Sequence, residues 1–98
     1  MNKFRTLFKN PKPIIGMIHL PPLPDYEISP GIDAIIDSAL NDLSVLERFG
    51  VDGVLIENEY DRPHRVTASL ETINAMKAVT QAVVDARRKC IIGVEILL

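Results

Sequence analysis

The chain has one cysteine, a formal net charge of only −2 and no long apolar run. A lone cysteine cannot form an internal disulfide, which fits a reducing compartment. The near balance of charge excludes the basic surface that a nucleic-acid-binding protein needs. No segment approaches the roughly 20 apolar residues of a membrane-spanning helix, and residues 1–9 lack the apolar core of a signal peptide. We therefore expect a cytoplasmic protein without a membrane span and without nucleic-acid partners.

The sequence also lacks the motifs that are typical of particular catalytic or cofactor-binding sites. The chain has no glycine-rich loop for a phosphate, no Ser/His/Asp series and no nucleophile context around Cys90. No metal-ligand spacing of a recognised kind links His19, Glu57 and His64. We therefore predict neither a cofactor nor a metal. The cluster Arg87-Arg88-Lys89 is expected in the last turn of a helix, where cations complement the helix dipole.

Three apolar runs alternate with two amphipathic segments. The runs cover residues 13–20, 51–57 and 91–98 and are rich in isoleucine, valine and leucine. Such near-continuous runs are typical of strands that are covered on both faces, and hence of parallel sheets. Proline-rich sequence follows the first run, so the first strand ends near Leu20.

The two amphipathic segments predict helices. For the first helix, Ser29 is suited to the N-cap, Pro30 to the first helical position and Gly50 to the left-handed C-terminal cap. Its predicted buried stripe contains Ile32, Ile36, Ala39, Leu43, Leu46 and Phe49. The second helix begins near Ser69, with Glu71 in its first turn. Its predicted stripe contains Ile73, Met76, Val79, Val83 and Ala86.

The elements therefore follow the order β-α-β-α-β over residues 13–98, preceded by a leader at 1–12. We predict an α/β fold, a partial (β/α)8 barrel whose parallel strands lie in the order 1-2-3. Right-handed crossovers then place both helices on one face. If His19, Glu57 and Glu95 share the other face, alternation exposes apolar residues there as well, and more strands would be needed to cover them. This favours the N-terminal portion of a barrel. An open doubly wound domain with strand order 2-1-3 is the alternative.

Two long segments carry a resemblance to a known family. They are 13–24, PIIGMIHLPPLP, and 50–58, GVDGVLIEN, with weaker echoes at 71–76 and 93–97. The chain resembles the BtpA family, a group similar to ribulose-phosphate-binding barrels and named for photosystem I biogenesis. Two departures from the family pattern are Asp25, where a glycine is usual and where we expect an effect on loop shape only, and Glu95, where the pattern favours asparagine.

Polar residues at the predicted strand ends are the candidates for chemistry. We predict catalytic roles for His19, Glu57 and Asp61, since imidazole and carboxylate groups transfer protons near neutral pH. Ligand-binding roles are predicted for Asn58, Glu95 and His64. The competing interpretations are a histidine satisfied by loop carbonyls, a salt bridge from Glu57 to Arg62 or Arg65, and a solvated loop face for residues 61–65. The competing interpretation of Glu95 beside Glu57 is that a truncated chain is under less constraint to keep the asparagine of the family pattern.

Three functions remain open at this point. The resemblance implies a role in biogenesis of photosystem I or another membrane complex, with a protein partner, or an uncharacterised barrel function. A metabolic enzyme, or its remnant, acting on a small phosphorylated metabolite is the first alternative. A non-functional fragment is the second, and it predicts self-association through exposed edge strands. In this superfamily the loops after the seventh and eighth strands hold the phosphate, so that role is assigned to no residue of this chain.

Overall fold

Three parallel strands and two long helices make up the computed structural model, which describes residues 3–61, 63 and 66–98. The strands are β1 (Ile15–His19), β2 (Gly53–Glu57) and β3 (Ile91–Glu95). The helices are α1 (Lys3–Leu7), α2 (Ile32–Arg48) and α3 (Leu70–Ala86). The short helix α1 was not predicted and lies within the expected leader. Of the residues described, no helix has the length and apolar character to cross a membrane.

The sheet has the strand order β1-β2-β3, with both pairs parallel. The α/β fold and the 1-2-3 order are therefore confirmed, as expected for part of a (β/α)8 barrel. The register aligns His19 with Glu57 and Glu57 with Glu95. Because all three strands run the same way, these three residues lie at the carboxyl edge of the sheet.

One face of the sheet packs against α2 and α3. Ile18, Val54 and Ile56 are almost fully buried there. They form one core with residues of the two helices and the β1–α2 loop: Leu20, Leu23, Ile35, Ala39, Leu43, Ala75, Met76, Val79 and Val83. Gly16 permits the close approach of α2, since a Cβ at this position would lie 2.8 Å from Leu46 Cδ2.

Neither α2 nor α3 packs on the opposite face, which we call the inner face. Ile15 and Met17 are 43% and 41% exposed on it. Leu55 and Ile91 are half-buried. The expectation of an uncovered apolar face is confirmed, because strand alternation sends these side chains away from the helices.

Several predicted helix boundaries differ from the structure. Gly31, not Ser29, is the N-cap of α2 and makes no side-chain cap bond. The Ser29 hydroxyl accepts the Gly31 amide at 3.1 Å, so it closes a local turn before the helix begins. Phe49 is 80% exposed because α2 ends at Arg48. Gly50 follows with φ +79°, the left-handed conformation that was predicted.

The end of α3 also differs from the prediction. The helix ends at Ala86, which is exposed, so Arg87-Arg88-Lys89 lie in the α3–β3 connection and not in the last turn. The Arg87 guanidinium donates to the Cys90 carbonyl at 3.1 Å, and the Arg88 amide donates to Glu47 Oε2 at 2.7 Å. These hydrogen bonds hold the connection against α2, so part of the cluster has a structural role.

The second long helix was predicted to begin near Ser69, and Ser69 is the N-cap of α3. Its Oγ accepts the Thr72 amide at 3.0 Å and donates to Asp25 Oδ2 at 2.7 Å. Asp25 therefore does more than shape its own loop, since it connects the β1–α2 loop to the start of α3. The cap satisfies one of the free amides at the helix start.

We expect Ser69→Ala to lower the free energy of unfolding by about 1–2 kcal/mol, because it removes the cap and the hydrogen bond to Asp25. Urea unfolding followed by circular dichroism measures the change. Ser44→Ala on the exposed side of α2 is the matched control and should change stability by less than about 0.5 kcal/mol. Equal midpoints for the two variants would contradict the assignment.

Cys90 is buried at the amino edge of the sheet, 3.5 Å from Glu47 Oε2. Burial, with the nearby Glu47 carboxylate, raises the pKa of this thiol above its ordinary value of 9.0. A raised pKa means that the folded state favours the protonated thiol. This contribution to stability is present below pH 9.0 and is lost as pH rises through the folded-state value.

We therefore predict slow alkylation of Cys90 by iodoacetamide in the folded chain at mildly alkaline pH, since the thiolate is the reactive form. Mass spectrometry gives the rate, and the same chain in urea provides the reference. Glu47→Gln should accelerate the reaction, because it removes a negative charge next to the sulfur. A folded chain that reacts as fast as the unfolded one would disprove this.

Candidate functional site

The side chains of His19 and Glu57 contact each other at the carboxyl edge of the sheet. His19 Nε2 lies 3.3 Å from Glu57 Oε1, and the two side chains are 39% and 11% exposed. They meet because the register of β1 and β2 aligns these two positions. The imidazole is accessible to a ligand, while the carboxylate is largely shielded from water. A pair of this kind can hold or transfer a proton.

Two residues that the sequence analysis did not consider complete the surroundings of this pair. Glu59, half-buried, brings a carboxylate oxygen to within 4.8 Å of the ligand atoms of His19 and Glu57. The ring of Tyr60 meets the imidazole edge-on, with centroids 6.2 Å apart. A second carboxylate two positions after Glu57 was the signal in the sequence that could have pointed to Glu59.

Asn58 and Asp61 lie behind the pair, and both are almost completely buried. Asp61 Oδ1 accepts the Leu23 amide at 2.8 Å, and its Oδ2 accepts Asn58 Nδ2 at 3.1 Å. Asn58 also makes two hydrogen bonds with the backbone of Leu97. Its Nδ2 donates to the Leu97 carbonyl, and its Oδ1 accepts from the Leu97 amide. Their polar atoms are thus directed at protein groups, and the two residues connect the segments that follow all three strands.

The remaining predicted residues are placed differently. Glu95 is exposed and aligned with Glu57, so β3 adds a second carboxylate to the edge. His64 lies outside the described residues, as do Arg62 and Arg65, the predicted alternative partners of Glu57. The structure therefore brings together His19, Glu57 and Glu59, with Glu95 beside them in register.

A crevice formed by described residues lies at the other edge of the sheet. It has a volume of about 610 Å³ and is lined by Phe8, Glu47, Asp52 and residues 87–91, among others. The Asp52 carboxylate there accepts the Ile14 amide at 2.8 Å, and Glu47 is bonded to the Arg88 amide. Both acids are occupied by backbone donors. In parallel α/β folds ligands bind at the carboxyl ends of strands, so we assign the site to that edge despite its openness.

A parallel three-stranded arc with helices on one face and polar side chains at its carboxyl edge is the architecture of (β/α)8-barrel proteins. Comparison with known families agrees. The profile of the BtpA family matches residues 10–98, and the chain belongs to this family.

Several curated proteins are similar to this chain over most of its length. An uncharacterized protein of Pyrococcus horikoshii is 40% identical over 78 residues, 76% of this chain and 29% of its own length. The sgc region protein SgcQ of Escherichia coli is 32% identical over 91 residues, 89% of this chain and 34% of its own length. Photosystem I biogenesis protein BtpA of Synechocystis is 39% identical over 64 residues, 64% of this chain and 22% of its own length. The chain thus spans about a third or less of these relatives. No solved structure matches it.

We expect Asp61→Asn to destabilise the fold by about 1–3 kcal/mol, because the new amide group places a donor against the Leu23 amide or Asn58 Nδ2. Urea unfolding measures the loss. Asp37→Asn, a substitution of an exposed carboxylate on α2, is the control and should be nearly neutral. If Asp61→Asn were as stable as this control, the buried connection would not hold the loops.

Proposed function

We propose that this edge forms part of a small-molecule site in a barrel enzyme, and that the substrate is a small phosphorylated metabolite. The observation that carries the proposal is the His19–Glu57 pair, with 3.3 Å between Nε2 and Oε1. An accessible imidazole beside a shielded carboxylate, at the end of the barrel where such folds bind ligands, is suited to acid–base chemistry.

The two side chains have complementary roles in this proposal. When Nε2 carries the imidazole proton, Glu57 accepts a hydrogen bond from it and stabilises the positive charge that develops on protonation. Nδ1 is then available to take a proton from the substrate and to return it. Glu57 keeps the ring oriented, and Asn58 and Asp61 position the segment that follows Glu57. Glu95 and His64 remain predicted ligand contacts, whereas Asn58 and Asp61, predicted to bind ligand and to act in catalysis, have a positioning role in this proposal.

The phosphorylated substrate is supported by the resemblance to ribulose-phosphate-binding barrels. In that superfamily the phosphate is held by loops after late strands of the barrel, and this chain supplies three strands. We therefore propose that this chain binds the reacting end of the substrate and that other parts of the barrel bind its phosphate.

A second candidate is a role in assembling a membrane protein complex. It is favoured by the relative named photosystem I biogenesis protein BtpA and by the apolar residues exposed on the inner face. The metabolic role is preferred because a relative of comparable identity, the sgc region protein SgcQ of Escherichia coli, is not named for a photosystem. A partner protein that protects Ile15 and Met17 from solvent would favour the assembly role.

The metabolic proposal predicts that phosphorylated metabolites perturb the imidazole of His19. We would titrate the isotopically labelled chain with a panel of sugar phosphates and nucleotides and with the matching unphosphorylated compounds, and follow the histidine ring signals by NMR. At least one phosphorylated compound should shift the His19 signals saturably. His19→Gln should weaken binding by roughly tenfold or more, about 1.4 kcal/mol.

Asp37→Asn is the control for this titration, since that carboxylate lies on the outer side of α2, and it should bind like the parent chain. Parallel experiments on a full-length relative supply the rest of the barrel. If no compound of the panel binds to either protein, the metabolic proposal is wrong.

A further inference from the structure

We propose that Tyr60 forms a stacking platform for a planar heteroaromatic ring, and that the substrate of this site is therefore a nucleoside phosphate. The inference deepens the proposed function and rests on it, since it names the class of phosphorylated metabolite that binds beside His19. Three features of the carboxyl edge support it: the fixed position of the tyrosine ring, the apolar surface near it and the acceptor character of the charged groups.

The position of Tyr60 is fixed by a tight turn after β2. The Asp61 amide donates to the Asn58 carbonyl at 3.2 Å, so Glu59 and Tyr60 occupy the two central positions of a four-residue turn. Both ends of the turn are almost completely buried, and their side chains are bonded to each other. The two central residues are therefore presented at the edge from an anchored backbone.

The ring of Tyr60 is both oriented and open to a ligand. It meets the imidazole of His19 at an interplanar angle of 82°, with the ring centroids 6.2 Å apart, which is a favourable edge-to-face arrangement. Tyr60 nonetheless remains 51% exposed. A ring that its neighbours hold in place without covering it offers area for stacking, and every nucleobase has a flat face that can use it.

An apolar surface leads up to the imidazole on the inner face. Met17 lies two residues before His19 on the same face of β1 and is partly exposed. It is aligned with the half-buried Leu55 of β2. A nucleobase can cover such side chains with its flat face, because its polar atoms lie on its rim. A sugar ring carries hydroxyl groups on most of its carbons and would bring some of them against these side chains without partners, which is unfavourable.

The charged groups of the edge favour a neutral ring with N–H donors. Glu95 is exposed and aligned with Glu57, and carboxylates accept hydrogen bonds but do not donate them. The N–H groups on the rim of a nucleobase are donors of the required kind. A phosphate group would be repelled by these carboxylates, so it belongs at the far end of the substrate, away from this edge.

The first test follows the ring signals of His19 by NMR in the 98-residue chain without a ligand. Tyr60→Leu should shift these signals because the ring current of the tyrosine is lost, whereas Tyr60→Phe should leave them near their parent positions. Phe49→Leu removes another exposed aromatic ring, at the opposite edge of the sheet, and as the matched control it should have no effect. Unchanged His19 signals in Tyr60→Leu would overturn the placement of the tyrosine ring.

The second test compares nucleoside monophosphates with ribose phosphate, which has the same sugar and phosphate but no base. In NMR titrations at least one nucleoside monophosphate should bind roughly tenfold or more tightly than ribose phosphate. Tyr60→Leu should abolish most of this preference, and Tyr60→Phe should keep it. Phe49→Leu should bind like the parent chain, and circular dichroism verifies that each variant retains its helices.

The inference is wrong if ribose phosphate binds as tightly as every nucleoside monophosphate, or if Tyr60→Leu keeps the full preference for the base. A saturable shift of the His19 signals by ribose phosphate would still support the proposed function in either case, so the two failures can be told apart. If neither class of compound binds to this chain or to a full-length relative, both proposals are wrong.

Discussion

The candidate site depends on two buried polar side chains that connect the loops after the strands. Asp61 accepts the amide of Leu23, which follows β1, and Asn58 is bonded to Leu97, which follows β3. The two residues also bond to each other. Since unpaired polar groups in a protein interior are costly, such a network holds one geometry. Glu57 immediately precedes Asn58, and its position next to His19 is maintained by this network together with the strand register.

The division of the sheet into two faces explains where chemistry can occur. The helices bury Ile18, Val54 and Ile56 on one face. On the inner face β1 changes from apolar to polar along its length, from Ile15 and Met17 to His19. On the inner face of the three strands, the polar side chains therefore lie at the carboxyl edge, where the strands end and water or a ligand reaches them. This is the organisation expected for a member of the BtpA family with barrel architecture.

Local signals predicted the elements better than their ends. Gly50 was assigned correctly, and α3 begins next to Ser69 as expected, because a left-handed residue and a helix start depend on a few neighbouring positions. The predicted N-cap Ser29 was wrong. Its hydroxyl accepts the Gly31 amide in a turn that precedes α2. Phe49 lies on the apolar stripe by periodicity, yet the helix ends one residue earlier and the ring is exposed. The end of a helix reflects competing local bonds that periodicity does not contain.

The amino-acid sequence was sufficient for the three strands, their parallel order, the uncovered face and the placement of His19, Glu57 and Glu95 at one edge. These follow from hydrophobic pattern and crossover handedness, which are properties of short segments and of chain chirality. Tertiary structure decided that Glu59 joins the pair and that the polar atoms of Asp61 and Asn58 are directed at loop backbone. The reason is that these contacts join atoms from separate strands and loops, such as Leu23 and Asp61, 38 residues apart. Such contacts exist only once the sheet has assembled in register.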